Sequence, residues 1–224
     1  MVKGQGFIVF SCPFCLGGDE ILNVKEMITH IRHAIHDEQM TGFADEELLS
    51  YINDGVKFLR RTIMDIYPFF LADVKVEGEL EKGMSDIDLG EKVTKLLDVH
   101  VNGRQIQAIN PMDIKDRAEE GTPRAFYRIG LTKVRLFPAP NGVIPYSITA
   151  ISDQKLLDVK DDTPFSNDFD DFVYEYAVLR AAVTDEFSMQ QEQAIMANIV
   201  QQVEALLYSY GPVGIDLTGY WDGR

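Results

Sequence analysis

Apolar residues recur at steps of three and four in several stretches of this 224-residue chain, and at steps of two between them. The longer steps keep side chains on one face of an α-helix; steps of two keep them on one face of a strand. From Asn23 to Asp37 the pattern predicts a helix with Val24, Met27, Ile28, Ile31 and Ile35 on one side. From Phe43 to Phe70 it predicts a second, striped by Leu48, Leu49, Ile52, Val56, Leu59, Ile63 and Ile66. Ala44-Asp45-Glu46-Glu47 puts acid in its first turn and Pro68 ends it. Thr163 to Gly211 reads as two helices rather than one. Phe169, Phe172, Val173, Tyr176, Leu179 and Val183 form one stripe; Ile195, Met196, Ile199, Val200, Val203, Leu206 and Leu207 form another in a different angular phase. Asn167 stands at an N-cap with Asp168, Asp170 and Asp171 in the first turn, and Ser188 with Gln191 reads as a capping box.

Strand-like alternation fills the middle of the chain. Val74, Val76 and Leu80 suggest an early strand, and Glu81 to Gly90 reads as a polar loop. Leu97, Val99 and Val101 alternate, Asn102-Gly103 turns the chain, and Ile106 and Ala108 return; this is a strong hairpin signal. His100 falls on the opposite face and is expected to be exposed. Asn110-Pro111-Met112-Asp113 predicts a short helix that stops by Gly121. Ala125 to Gly130 and Lys133 to Phe137 form the next hairpin, Pro138 to Gly142 turns again, and Val143 to Ile151 is a third strand of that sheet. The expected class is α+β: a helical bundle of about four helices with an inserted antiparallel β subdomain. The expected division is 1–22 as an N-terminal arm, 23–70 as the first helix pair, 71–160 as the β-rich insertion, 161–210 as the C-terminal helix pair and 211–224 as an extended tail.

Charge narrows the functional classes. With 36 acidic and 21 basic residues the formal net charge is −15, a poor balance for gripping phosphates. Such a surface repels DNA, meets a basic partner, or serves solubility alone. No apolar run reaches the roughly 20 residues of a membrane span. Phe7 to Leu16 resembles a signal-peptide core only in length, since Pro13 interrupts it and no small-x-small site follows. Met27 precedes the body of the first helix, so part of this arm is expected to lie upstream of the natural start. Two cysteines make no disulfide framework, and a reducing intracellular compartment is the default.

Candidate chemistry is sparse. Cys12-Pro-Phe-Cys15 has redox spacing, but it comes too early for a preceding βα unit and runs into Leu16-Gly17-Gly18, a poor helix start. His30, His33 and His36 drift around their helix instead of sharing a face, so no metal site is expected. Neither a phosphate-binding glycine loop nor a nucleophile elbow occurs. The acidic clusters at 161–162 and 168–171 read as linker solvation and helix capping. No catalytic residue, cofactor site or metal site is assigned. Arg60 and Arg61 lie on or beside the polar side of the second helix, either solvated or gripping an acidic partner; Tyr220 and Trp221 sit in the tail as docking aromatics.

The order of parts then points to a family. The helix FADEELLSYINDGVKFLRRTI, the β region RAFYRIGLTKVRLFPAP with the strand PYSITAIS, and the entry TPFSNDFDDFVYEYAVLRAA into a final helix pair together resemble the head–tail connector (adaptor, or head-completion) proteins of tailed bacteriophages. The resemblance covers roughly residues 25 to 210, and the CPFC arm has no counterpart in it. It implies a structural virion protein of the neck, assembled in the host cytoplasm into a homo-oligomeric, dodecameric ring under the portal. The implied partners are the portal protein and a tail or second neck protein, with DNA passing through unheld. Tyr220, Trp221, Arg60 and Arg61 then become candidate inter-subunit or portal contacts. On this reading the apolar helix stripes are mating surfaces between copies, and no chemistry is performed. A soluble acidic protein-binding module and a thiol oxidoreductase using Cys12 and Cys15 remain the alternatives.

Overall fold

Among the described residues, four helices and ten strands build two adjoining hydrophobic cores. The computed structural model describes residues 23–116, 119–165, 167–183 and 189–210. The helices are α1 (Val24–Ala34), α2 (Asp45–Ile66), α3 (Asn167–Val183) and α4 (Met189–Tyr210). The strands are β1 (Val74–Leu80), β2 (Asp86–Asp88), β3 (Val93–Val101), β4 (Arg104–Gln105), β5 (Gln107–Ala108), β6 (Glu120–Gly121), β7 (Ala125–Ile129), β8 (Lys133–Phe137), β9 (Ala139–Pro140) and β10 (Ile144–Ser152). The α+β class and the four helices expected from periodicity are both present.

Helix starts follow local chemistry. Asn23 caps α1 in a reciprocal box, its side chain accepting from the Glu26 amide while the Glu26 carboxylate accepts from the Asn23 amide. Asp45, Glu46 and Glu47 sit in the first turn of α2, where the helix dipole favours negative charge. Tyr67 ends that helix, and a single 3-10 turn, Pro68–Leu71, leads into β1. Glycine inside α2 is explained by packing: a Cβ on Gly55 would stand 3.1 Å from the Tyr176 ring and 3.2 Å from the Val173 carbonyl of α3.

All four helix stripes close on one core. Met27, Ile31, Ile52, Leu59, Phe169, Val173, Ile199, Val203 and Leu207 are all buried in it. This corrects the expectation that the stripes as a whole mate between copies, because their inner residues are satisfied inside a single chain, while Ile195, Met196 and Leu206 of α4 are only partly buried. α2 and α3 form the central pair of the bundle, each packing on the other and on α1 and α4, and the most buried line of α3 is Phe169, Val173, Ala177 and Ala181 at four-residue steps.

The β insertion is a sandwich of two four-stranded sheets, in the orders β1-β10-β3-β4 and β2-β8-β7-β5, with β6 and β9 as a separate pair. Val99, Val101, Ile144 and Ile148 of the first sheet face Ile87, Phe126, Val134 and Leu136 of the second. Three expectations are corrected here. β10 does not join the β7–β8 hairpin; it runs between β1 and β3. The stretch 81–90 is not all loop, since Ile87 is buried in β2. The helix expected after Asn110 is one 3-10 turn, Pro111–Asp113, with the Asn110 side chain accepting from the Met112 amide.

The Asn102-Gly103 turn forms with φ values of 50° and 72°, as a two-residue hairpin of the primed type requires. Its return arm is cut short. β4 pairs with β3 for two residues, Ile106 buries, and β5 crosses to the other sheet parallel to β7. His100 is half-buried rather than exposed, with Nδ1 2.9 Å from Asp98 Oδ2.

Two register shifts between β3 and β10 leave Thr94 and Leu97 without partners on β10. Such bulges bend a strand and re-aim its side chains. Leu97 accordingly packs on the helical core, and the Thr94 hydroxyl donates to the Ser152 carbonyl.

The buried side chain of Asn53 anchors the link from β10 into α3. Asn53 of α2 accepts the Leu157 amide at 2.8 Å and donates to the Leu157 carbonyl at 3.2 Å. Replacing Asn53 with Ala would strand both backbone groups, so we expect a loss of about 1–3 kcal/mol, read by urea unfolding.

Candidate assembly surface

Charge is divided unequally between the two units. Residues 74–151 contain 11 acidic and 11 basic side chains, whereas residues 23–73 and 152–210 together contain 21 acidic and 8 basic. The sandwich is therefore formally neutral, and the bundle carries nearly all of the negative charge.

Part of that charge is packed tightly at the start of α3. Asp170 is buried, with Oδ2 accepting the Thr163 hydroxyl at 2.7 Å and Oδ1 lacking a partner among the described residues. Burial pushes its carboxyl up to about 7, with the charge of Asp171 adding and the Thr163 hydroxyl opposing. Burial also raises Asp171, helped by Asp168, and Glu175, helped by Asp171. Asp168 accepts the Tyr210 hydroxyl at 2.8 Å, joining the start of α3 to the end of α4. Capping chemistry, the expectation for this cluster, does not describe Asp170, which lies inside the bundle. Its position beside Phe169 and three residues before Val173, within the apolar stripe, was the available signal.

A second polar hub lies between α1 and α2. Arg32 is buried and donates to Asp37 and Asp45, both at 2.6 Å, and to the Phe43 carbonyl at 2.9 Å. Asp37 also accepts the amides of Thr41, Gly42 and Phe43. Those amides, led by Gly42, hold its carboxyl below the usual range, with burial opposing and Arg32 assisting. The hub shapes the loop between the helices, on which Met40 is 68% exposed. Arg32 follows Ile28 by four residues on the apolar face, a legible signal that sequence reasoning passed over.

The junction between bundle and sandwich is polar as well as apolar. Asp73 accepts both the amide and the hydroxyl of Ser152, whose carbonyl accepts from Arg60 Nη2 at 2.9 Å. Lys95 Nζ reaches the Met64 carbonyl at 3.0 Å. Burial lowers the Arg60 guanidinium somewhat, and Asp73 and Asp153 oppose that. The candidate pair thus divides: Arg60 is half-buried at the junction, and Arg61 is exposed. Tyr220, Trp221, Cys12 and Cys15 lie outside the described residues.

The far end of the sandwich exposes large apolar side chains among polar ones. Leu80 pairs with Ile144 at the end opposite Asp73 and Ser152. Beyond that pair, the Gly83 amide donates to the Pro140 carbonyl and ties two turns together. Met84 and Val143, on those turns, are 57% and 65% exposed. Met112 is exposed on the turn whose Ile114 shares a pocket wall with Ser85 and Ala139.

Two shallow pockets, of about 70 and 200 Å³, fall below the roughly 300 Å³ of a usual small-molecule site. Among the described residues there is no cluster of His, Cys, Asp or Glu suited to a metal, and no helix is long and apolar enough to cross a membrane. This arrangement offers surfaces for protein contact: an acidic bundle, a formally neutral sandwich and a far end with exposed methionine and valine side chains.

Comparison with known proteins agrees with that character. No curated protein matches the chain. The family model of the SU10 adaptor protein matches residues 22–212, which takes in both units and the junction between them. The chain therefore belongs to the SU10 adaptor protein family and is, at that level, a structural adaptor protein of a phage.

Proposed function

We propose that this adaptor is a head–tail connector, forming a closed ring on the portal and extending the DNA channel toward the tail within the virion neck. The observation that carries the reading is the division of charge, with a formally neutral sandwich beside a strongly acidic bundle. Surfaces with a net charge of one sign repel their own copies, so the sandwich, whose charges balance, meets a neighbouring copy without the repulsion that the bundle would meet. The acidic bundle suits the wall of the passage, because like charge keeps phosphates from being held. Head-to-tail contacts of this kind close into a ring when the rotation between copies permits. The inner residues of the helix stripes are already consumed by the chain's own core, which leaves other surfaces for these contacts. The partners are the portal protein, a tail or second neck protein, and further copies of the chain, in a dodecameric ring.

Native mass spectrometry of the chain mixed with portal protein tests the reading. A ring bound to portal is the expected species, together with no retention of duplex DNA by the free chain near physiological salt. A lone monomer under every condition would overturn it.

A further inference from the structure

The first sheet leaves one long edge open. β1 pairs with β10 along all seven of its residues and has no partner strand on its other side among the described residues. The other edge strands of the two four-stranded sheets, β2, β4 and β5, are two or three residues long. A strand edge is a row of amides and carbonyls ready to pair, and shortness, proline, bulges or inward charges are its usual protections. β1 carries no proline and no register shift against β10, and Lys75, Glu77 and Glu79 are all on the exposed face.

The two faces beside that edge differ in chemistry. On the inner face Val74 and Leu80 are buried and Val76 is partly buried. Gly78 shares that face, and the ring of Tyr146, its cross-strand partner, leans over it: a Cβ on Gly78 would stand 2.8 Å from the Tyr146 hydroxyl oxygen and 3.0 Å from its Cζ. An aromatic ring that covers an edge glycine in this way gives the open side of the strand an apolar shelf at mid-length. On the outer face Lys75 is taken by Glu77 at 2.8 Å. Glu79 has no ion-pair partner among the described residues, and the exposed Glu81 follows two positions on. The outer face therefore turns acidic toward the Leu80 end of the edge.

We propose that the open edge of β1 takes an extended segment of a second protein, about as long as β1 itself, with apolar side chains at alternate positions and lysine or arginine between them. Backbone hydrogen bonds along an edge hold an added strand, and its alternate side chains give the specificity. Apolar positions pack beside Val76 and the Tyr146 ring. Basic positions stand beside Glu77 and Glu79, where opposite charges on neighbouring strands stabilise the pairing. A second copy of β1 does not meet these demands. Whether parallel in register or antiparallel with full overlap, it sets Glu77 beside Glu77, and like charges directly opposite are destabilising. The other edge strands are too short to fill seven positions. That the second protein belongs to the virion neck rests on the adaptor reading; the strand addition does not.

Amide hydrogen exchange on the free full-length chain tests the proposal, without portal present. The β1 amides that face away from β10 should exchange freely at every protein concentration. The probe is a capped heptapeptide of alternating valine and lysine, added in excess. It should slow exchange of those amides by about tenfold or more. Two control peptides should not: alternating valine and glutamate, and the valine–lysine peptide with every backbone amide methylated, which keeps its charge but cannot donate. In the double variant Glu77→Lys with Glu79→Lys, protection should pass to the valine–glutamate peptide. Outward-facing β1 amides already protected in the free chain would overturn the proposal, and protection lost on dilution would assign the edge to a second copy. No protection by the basic peptide, equal protection by its methylated form, or an unchanged preference in the double variant would each overturn it too. A chain that rings on the portal while its β1 edge refuses the basic peptide sinks the strand addition alone and leaves the connector reading standing.

Discussion

Replacing Asp170 with Asn should stabilise the protein at pH 8 and remove much of its loss of stability between about pH 4 and 7. The carboxyl is buried, with one oxygen unpartnered, and its folded value is raised from 3.8 to about 7. Between those two values the folded chain holds a proton that the unfolded chain has released. Stability is therefore greatest below the unfolded value and falls as pH rises through the folded one, at about 1.4 kcal/mol per pH unit for one proton. The full effect is on the order of 2–4 kcal/mol. Asparagine is neutral at every pH and keeps an oxygen for the Thr163 hydroxyl. Urea unfolding at pH 5, 6, 7 and 8 reads the difference. A residual slope is expected in the variant, because Asp171 and Glu175 are raised in the same direction. An unchanged slope would show that Asp170 is already ionised in the fold.

Phe169→Ala should cost about 3–5 kcal/mol, the usual range for emptying a large aromatic site in a core. Phe169 is fully buried at the meeting point of three elements. Its ring lies 5.1 Å from that of Phe70, 5.9 Å from Tyr210, 6.2 Å from Phe165 and 6.4 Å from Phe172. Truncation would open a cavity where the end of α4 and the turn before β1 both lean on α3. Thermal unfolding should show a drop in Tm on the order of 10 °C for a chain of this size. Val143→Ala, at an exposed turn, is the matched control and should stay within about 0.5 kcal/mol of the parent. A small effect at Phe169 would mean that the site collapses, and that the aromatic cluster does not set the position of α4.

Much of this architecture was legible along the chain. The four amphipathic periods, the break between α3 and α4, the Asn102-Gly103 turn and the β7–β8 hairpin all depend on residues within about ten positions of each other. Local backbone preference and a single apolar face decide such features. The family resemblance was legible for the same reason, since it rests on the order of those local parts.

What covers each apolar face was decided only in three dimensions. Periodicity shows that the α3 and α4 stripes must be buried, but a neighbouring copy and the chain's own α1 and α2 satisfy that demand equally well. The structure chooses the second. β10 is as apolar and alternating as a third strand of the β7–β8 sheet would be, yet it pairs with β1 and β3, more than forty residues earlier in the chain. Arg32, Asn53 and Asp170 look like polar interruptions in their stripes until their partners arrive from the α1–α2 loop, from Leu157 and from Thr163. A one-dimensional pattern records how much surface each face must hide and which groups need a hydrogen bond. Only packing supplies the opposite surface and the bonding partner, because both come from segments whose separation in sequence carries no information about their distance in space.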